Sequence, residues 1–314
     1  EDDKLSSTFL NMVFNLNLLF DHKDSSILIS YLICESIKLA VHKRLPNLIQ
    51  VISSIKNCTK QELLLNHSRY IFPEIFIKCD DKQKIDCINF IEDQISVSIT
   101  NILKSELQPI VHHCFLYLHD FETNILTGIL GMLDSDPFSV KYTYKKGQLS
   151  NFFQTRLLGI LAFFSITLVS GDLSYKKFVI KSLGKLIEHA SRPSIDRLRL
   201  KILALLKFAT EICVKHNLVE HILISWSTFI ENISEKFLGS LMSQIIFSVL
   251  PLISYNQELV FSVLDKILIE NARITHSHLR EVHLFCFTPS FKNLYEIFAK
   301  FWTKNIINTN LDTF

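Results

Sequence analysis

Apolar residues recur every three or four positions along nearly the whole 314-residue chain, and this spacing constrains its fold more than any other feature. One such stretch consists of Leu198, Ile202, Leu205, Leu206 and Ala209. A period of this kind places apolar side chains on one face of an α-helix. Gly and Pro, which tight β-turns need, occur only seven times each, so β-sandwiches and barrels are disfavoured. The chain is predicted to be all-α.

Periodicity and capping signals together predict the helix boundaries. The predicted helices lie near 5–20, 25–40, 43–56, 59–78, 81–104, 106–119, 120–133, 149–170, 173–190, 193–215, 217–233, 237–254, 256–271, 273–284 and 290–303. A helix pair therefore recurs about every 40 residues, the period of HEAT and armadillo repeats. This predicts an α-α superhelix, a HEAT- or armadillo-like solenoid of stacked antiparallel helix pairs. The clearest interruption is 134–148, where Pro137 and Gly147 appear and periodicity fails, so a surface loop is predicted.

Charge, cysteines and hydropathy exclude several classes of protein. The net charge of +2 gives no overall attraction to nucleic acid or to an anionic membrane. Seven scattered cysteines fit a reducing compartment better than a disulfide framework. Phe237 to Gln257 has no charged residue and Leu157 to Val169 is apolar. We expect both stretches to be buried between neighbouring helices instead of spanning a membrane.

The blocks between Phe152 and Ser254 resemble the UME domain of ATR-type checkpoint kinases, which are PI3-kinase-related serine/threonine kinases. The similar blocks occur in the same order and at similar spacing: Arg156–Phe164, Ser182–Leu186, Ser194–Leu206, Trp226 and Leu238–Leu241. Asn66–Phe72 and Asp134–Phe138 resemble stretches upstream of that domain, and Ile267–Asn271 resembles the next helix pair. The resemblance divides the chain into HEAT-like repeats at 1–133, a loop at 134–148, a UME domain at 149–256 and further HEAT-like helices at 257–314.

The resemblance implies one piece of the helical scaffold of a very large nuclear kinase that responds to DNA damage and replication stress. It also implies a partner of the ATR-interacting protein family, a homodimeric parent, and ATP with Mg²⁺ or Mn²⁺ bound only by a kinase domain outside these residues. We expect no cofactor in this segment, no membrane association, and leave contact with DNA open. Because the chain begins Glu1-Asp2-Asp3-Lys4 without a Met, it is expected to be an excised fragment.

No catalytic or metal-binding residue is predicted. A kinase needs a glycine-rich loop, a strand-borne Lys, and catalytic and metal-binding Asp residues. His42–Leu45 and Asp120-Phe121-Glu122 only partly resemble such motifs. His112, His113, Cys114 and His119 form the densest set of metal-capable side chains, with a second set at His276, His278 and His283. Adjacent helical residues diverge by about 100°, so buried or surface histidines are expected rather than a zinc site.

A basic face is the one binding surface that the residues suggest. Lys177, Lys181 and Lys185 recur every fourth position, and Arg192 and Arg197 follow in the next helix. They could meet a phosphate backbone or an acidic partner segment. The simpler interpretation is the solvated side of an apolar helix pair, because the chain as a whole is nearly neutral. The aromatic residues on which single-stranded nucleic acids stack are also not interleaved among the lysines.

Two functions from different classes follow. The first is a non-catalytic scaffold segment of an ATR-like kinase, which positions the kinase and its partner surfaces. The alternative is an independent HEAT-type protein-binding module, of the transport-receptor or phosphatase-scaffold class. A polytopic membrane protein would need further uncharged spans.

Overall fold

The computed structural model describes residues 48–95, 98–133 and 144–267, together with isolated positions at 30, 33–35, 37–38, 271, 299 and 303. Several predictions lie wholly or partly outside these residues. They are the helices at 5–20, 25–40, 43–56, 256–271, 273–284 and 290–303, the first ten residues of the loop at 134–148, the blocks Asp134–Phe138 and Ile267–Asn271, His42–Leu45, and the histidines at 276, 278 and 283.

Every regular element in the described part of the chain is a helix, which confirms the all-α prediction. Residues 48–95 and 98–133 form α1 (Leu48–Ile55), α2 (Lys60–Lys78), α3 (Asp81–Ile95), α4 (Ile99–Ser105), α5 (Leu107–Leu116) and α6 (Leu118–Leu133). Residues 144–267 form α7 (Ser150–Ser170), α8 (Leu173–His189), α9 (Arg192–His216), α10 (Val219–Asn232), α11 (Glu235–Val249) and α12 (Gln257–Asp265), with a short 3₁₀ segment at Leu250–Ser254.

Local capping chemistry explains why the helices begin and end at these residues. At the start of α2, Thr59 Oγ1 accepts from the Glu62 backbone N–H, and the Glu62 carboxylate accepts from the Thr59 N–H, which completes a capping box. Asn217 ends α9 in the left-handed conformation, with φ at 57°. Gly147 has φ at 97° in the turn before α7, a conformation that costs glycine little.

The structure corrects two predicted boundaries. The helix predicted at 81–104 is interrupted: α3 ends at Ile95, and a new helix, α4, begins after Ser98. The Glu92 carboxylate accepts a 2.8 Å hydrogen bond from the Ile99 N–H, which satisfies a donor at the start of the new helix. The helix predicted at 237–254 changes to 3₁₀ geometry at Leu250, where Pro251 cannot donate a backbone hydrogen bond.

The chain divides into two compact units, Glu1–Lys145 (the first unit) and Lys146–Phe314 (the second unit). In the first unit α2 is central, since it packs against α1, α3, α5 and α6. In the second unit each helix from α7 to α10 packs against the next helix and against the one after that. This arrangement, with short turns between helices, is that of an α-solenoid.

The core of the second unit consists of the apolar stripes that the helical period predicted. Ile180, Leu183 and Leu186 of α8 are fully buried, as are Ile222 and Leu223 of α10. The contact between α8 and α10 is the most extensive among the described helices. Burial of such stripes supplies the main driving force for stacking helix on helix.

Candidate interaction surface of the second unit

Polar side chains of the second unit join helices that lie one repeat apart. Asp196 of α9 accepts hydrogen bonds from the Ser234 backbone N–H at 2.9 Å and from the Ser234 hydroxyl at 2.5 Å, immediately before α11. Lys207 of α9 donates to Gln244 of α11 at 2.9 Å. The partners of these pairs are 38 and 37 residues apart in the chain. The predicted repeat of about 40 residues is therefore visible in the contacts themselves.

A close approach of two backbones lies at the centre of this unit. A Cβ added to Gly184 of α8 would lie 3.0 Å from Ser225 Oγ and 3.4 Å from Ser225 Cα on α10. Ser225 is itself buried. Small residues at both positions allow the helices to approach more closely than larger side chains would permit. The sequence pattern around Gly184 indicated a family resemblance but not this crossing.

Trp226 anchors the packing of α10 against α9. Its side chain is fully buried, and its indole N–H donates a 3.0 Å hydrogen bond to Thr210 Oγ1. The Thr210 hydroxyl in turn donates to the Leu206 carbonyl at 2.8 Å. The one polar atom of the indole is thus satisfied inside the core, as burial of a Trp requires.

The five residues of the predicted basic face lie on α8 and α9, and several make contacts inside the unit. Lys177, Lys181 and Lys185 are half-buried, whereas Arg192 and Arg197 are exposed. Arg192 donates to the Glu231 carbonyl in the last turn of α10, and Arg197 donates to the Gln154 carbonyl of α7. These two arginines link neighbouring helices, a role that the sequence pattern did not indicate.

Lys185 is paired with an acid on its own helix. Its ammonium group donates to Glu188 at 3.1 Å, and Lys146 lies 3.5 Å from the same carboxylate. Partial burial raises the pKa of Glu188, but the hydrogen bond from Lys185 and the nearby positive charges outweigh it and hold the pKa below its ordinary value. The positive charge at this end of α8 is therefore partly neutralised. Whether the five residues form a contact face stays a prediction.

The aromatic side chains of α7 differ in burial. Phe153 and Phe164 are fully buried and Phe152 nearly so, while Phe163 is half-buried. The rings of Phe152 and Phe153 pack edge to face, with centroids 5.6 Å apart. These rings belong to the helix core.

Two helical stretches of the described chain, Ser150–Ser170 and Glu235–Ser254, are long and apolar enough to cross a membrane by length and composition alone. The core helices of soluble proteins also satisfy this criterion. In their most apolar windows 39% and 44% of the residues are buried, so both helices also present apolar side chains outward. Each of the two stretches is therefore buried against neighbouring helices, as expected, on one of its faces only.

An apolar groove follows from this exposure. It lies between α7 and α9 and has a volume of about 480 Å³. Its walls include Leu158, Ala162 and Ile166 from α7, and Lys201, Ala204 and Phe208 from α9. Leu158 is 45% exposed and Ile166 is 64% exposed, which is unusual for large aliphatic side chains. Sequence reasoning missed this groove because the exposed side of an all-apolar helix cannot be identified from its period.

Two histidines of the first unit, His113 and His119, contact neighbouring groups of the protein. His113 Nδ1 contacts the Pro109 carbonyl oxygen at 3.0 Å, and its ring packs edge-on against Tyr70 with centroids 4.7 Å apart. Burial lowers the pKa of His113 to about 4. His119 Nε2 lies 3.0 Å from an Asp120 carboxylate oxygen. Within residues 48–95, 98–133 and 144–267, no three His, Cys, Asp or Glu side chains converge as a metal site would require.

A pair of thiols in the first unit was also not predicted. Cys79, which ends α2, and Cys87 of α3 are both buried free thiols. A hydrogen bond from the Cys87 thiol lowers the pKa of Cys79 below its ordinary value, although burial acts in the opposite direction. The same hydrogen bond raises the pKa of Cys87. Neither cysteine has a sequence signature, since the contact depends on how α2 packs against α3.

The stacked helices of the second unit define the class of protein: an all-α solenoid segment. Residues 152–253 match the family model described as the UME (NUC010) domain. The chain is similar to the serine/threonine-protein kinase ATR of Drosophila melanogaster, with 19% identity over 220 residues. That alignment covers 68% of this chain and 9% of the relative, so the chain spans less than a tenth of the length of the protein it resembles. No solved structure shows a significant match.

These findings confirm the resemblance to ATR-type kinases that the sequence blocks suggested. The chain thus resembles ATR-type kinases, and its residues 152–253 are similar to the UME domain. The match covers the helices α7 to α11 and part of the 3₁₀ segment, which hold the repeat-spaced contacts and the apolar groove. Neither comparison identifies a kinase domain within this chain.

Proposed function

We propose that this chain is a non-catalytic scaffold segment of an ATR-like serine/threonine kinase, and that it positions the kinase domain and the partner-binding surfaces of the parent protein. The observation that carries the proposal is the set of repeat-spaced hydrogen bonds within the UME match, above all Asp196 to Ser234. Hydrogen bonds between helices one repeat apart fix the geometry of one helix pair relative to the next, which is what a spacer between distant surfaces requires.

Further elements of the proposal rest on the relative. The parent protein acts in the nucleus, in the checkpoint response to DNA damage and replication stress. It works with a partner of the ATR-interacting protein family and forms a homodimer. ATP and Mg²⁺ or Mn²⁺ are bound by a kinase domain elsewhere in the parent. This segment has no membrane role, and the basic face of Lys177, Lys181, Lys185, Arg192 and Arg197 is available for an acidic partner or for DNA.

The first test is the parent reading frame. A kinase domain downstream of Phe314 in the same frame is expected. A frame that lacks one would overturn the proposal and would favour an independent HEAT-type binding module.

The second test uses the full-length parent protein. Asp196→Ala removes the acceptor of two hydrogen bonds between α9 and the start of α11. We expect a severalfold loss of kinase activity on a peptide substrate, with the KM for ATP unchanged, because positioning changes while the nucleotide site does not. Lys215→Ala, an exposed position on the same helix, is the matched control. Equal activity of the Asp196 variant and the control would contradict a positioning role.

A further inference from the structure

The groove between α7 and α9 is long enough for about three turns of helix. Its α7 wall runs from Leu158 to Val169, a distance of about 16 Å at the rise of an α-helix. Leu158, Ala162 and Ile166 are spaced four residues apart and share one side of α7, while Ala204 and Phe208 do the same on α9. Two such ridges, with small alanines along them, form the kind of groove that accepts the side chains of a third helix.

The charge that lines the groove is positive. Among the described residues that line it, Lys201 alone carries a charge. Arg197 lies one turn before Lys201 and contacts the Gln154 carbonyl at the end of the groove where both α7 and α9 begin. The two cationic side chains at this end of the groove favour a negatively charged group there.

We propose that the α7–α9 groove binds an amphipathic helix of a protein partner, which places an apolar stripe between the two walls and a carboxylate beside Lys201. The stripe would have the spacing i, i+3, i+4 and i+7 that grooves of this kind recognise. The acidic group would stand at the end of the groove where α7 and α9 begin. This inference rests on the proposed scaffold function, because the helix is one kind of partner that the scaffold would hold.

A membrane is a poorer occupant than a helix. The walls enclose a concave volume, and a flat bilayer surface would leave Ala162 and Ala204 without contact. Interfacial helices that bind anionic lipid are rich in Lys and Arg on their polar face. Of the two walls, α7 contains a single charged residue, Arg156, whereas α9 carries several cations. The concave shape of the site therefore favours a separate helix.

The test uses the 314-residue chain and two fluorescein-labelled helical peptides of about 18 residues, a length at which an isolated helix begins to be stable. Both peptides carry Leu at i, i+3, i+4 and i+7. One has Glu at the flanking positions, and the other has Lys there. Fluorescence anisotropy should give tighter binding for the Glu peptide. Lys201→Glu should weaken binding of the Glu peptide about tenfold and should reverse the preference, because attraction becomes repulsion.

Two further variants separate the effect of local charge from that of net charge and groove shape. Lys215→Glu makes the same change of charge on α9, about four turns from Lys201, and should alter binding less than about twofold. Ala162→Trp fills the groove and should abolish binding, with the melting temperature measured to show that the chain stays folded. Equal binding of the two peptides, or none at about 1 mM, would overturn the inference. A sedimentation assay with phosphatidylcholine–phosphatidylserine vesicles tests for a lipid surface. If the natural chain sedimented with the vesicles and the Ala162→Trp variant did not, the inference would be overturned in favour of a lipid surface.

The inference and the proposed function fail separately. Peptide binding is measured on this chain alone and needs no kinase domain. Loss of kinase activity on Asp196→Ala concerns the link between α9 and α11, which lies outside the groove.

Discussion

The second unit stacks its helices in a regular order, whereas the first unit packs its helices around one of them. In the second unit each helix from α7 to α10 packs against the next helix and against the one after it. In the first unit α2 contacts α1, α3, α5 and α6, and α4 and α5 have only 7 and 10 residues.

The difference shows where the solenoid pattern of packing is clearest. The regular stretch coincides with the UME match at 152–253. A solenoid repeat contacts mainly its neighbours, so the same pattern of contacts can be propagated from helix to helix along the stack. Four measurements of stability test this contrast between the two units, and the largest effect is expected at Trp226.

Replacing Trp226 by Ala should remove the largest fully buried side chain among the described residues of the second unit. We expect the free energy of unfolding to fall by about 3–5 kcal/mol, because a large cavity opens and Thr210 loses a hydrogen-bond donor. Urea unfolding followed by far-UV circular dichroism measures the loss. Trp226→Phe keeps most of the ring and should lose about 2 kcal/mol. A loss below about 1 kcal/mol for Trp226→Ala would show that α10 is not anchored through this residue.

Gly184→Val should destabilise the chain by about 2–3 kcal/mol, since the added atoms would meet Ser225 at the crossing of α8 and α10. Gly128 of the first unit is the matched comparison: a Cβ there would lie 3.5 Å from the Phe76 ring, an ordinary contact. Gly128→Ala should therefore be neutral or stabilising by up to about 1 kcal/mol through helix propensity. Thermal and urea unfolding of both variants measure these changes in stability. Similar changes in the free energy of unfolding at the two glycines would remove the contrast between the units.

Acid should weaken the first unit through His113. Its pKa is about 4 in the folded chain, below the ordinary value of 6.5, because burial disfavours the charged ring. The unfolded chain therefore binds a proton more readily between these two values, and stability is lost as the pH falls from 6.5 towards 4. We expect this residue to account for about 2 kcal/mol between about pH 7 and about pH 5.

Urea unfolding across this pH range, compared between the natural chain and His113→Phe, isolates the effect. The variant should lose that part of the pH dependence because Phe cannot titrate. An unchanged pH profile would mean that His113 is not responsible for it.

Asp196→Ala should lower the free energy of unfolding by about 1–2 kcal/mol, because Ser234 loses the acceptor for both its backbone and its hydroxyl hydrogen bond. Lys60→Ala, which removes a contact in the less regular first unit, should lose less than about 0.5 kcal/mol. The two variants can be compared in one urea series. If the Lys60 variant proved the more unstable, the repeat-spaced contacts would not be what distinguishes the second unit.

Many helix boundaries were predictable because their causes are local. The prediction of 59–78 agrees with α2 at Lys60–Lys78, where Thr59 and Glu62 form a capping box from residues three apart. The prediction of 149–170 agrees with α7 at Ser150–Ser170, which Gly171 ends. The break before Ile99 was missed because the Glu92 acceptor lies seven residues away and has no fixed motif.

The candidate site was less predictable. The sequence indicated a basic face, yet Arg192 and Arg197 donate to carbonyls that lie 39 and 43 residues away. The exposed apolar groove carried no signal, because α7 is apolar on every side and its period does not distinguish the outer face from the inner one.

The order of apolar and capping residues by itself determined that the chain is helical, where many of its helices begin and end, and which family it resembles, because these properties depend on neighbours within a few positions. Only the tertiary structure decided which side of α7 remains exposed, where Gly184 lets α8 and α10 approach, and which cations join neighbouring helices. Those outcomes depend on pairs of side chains about forty residues apart, whose meeting is set by helix length and packing angle together.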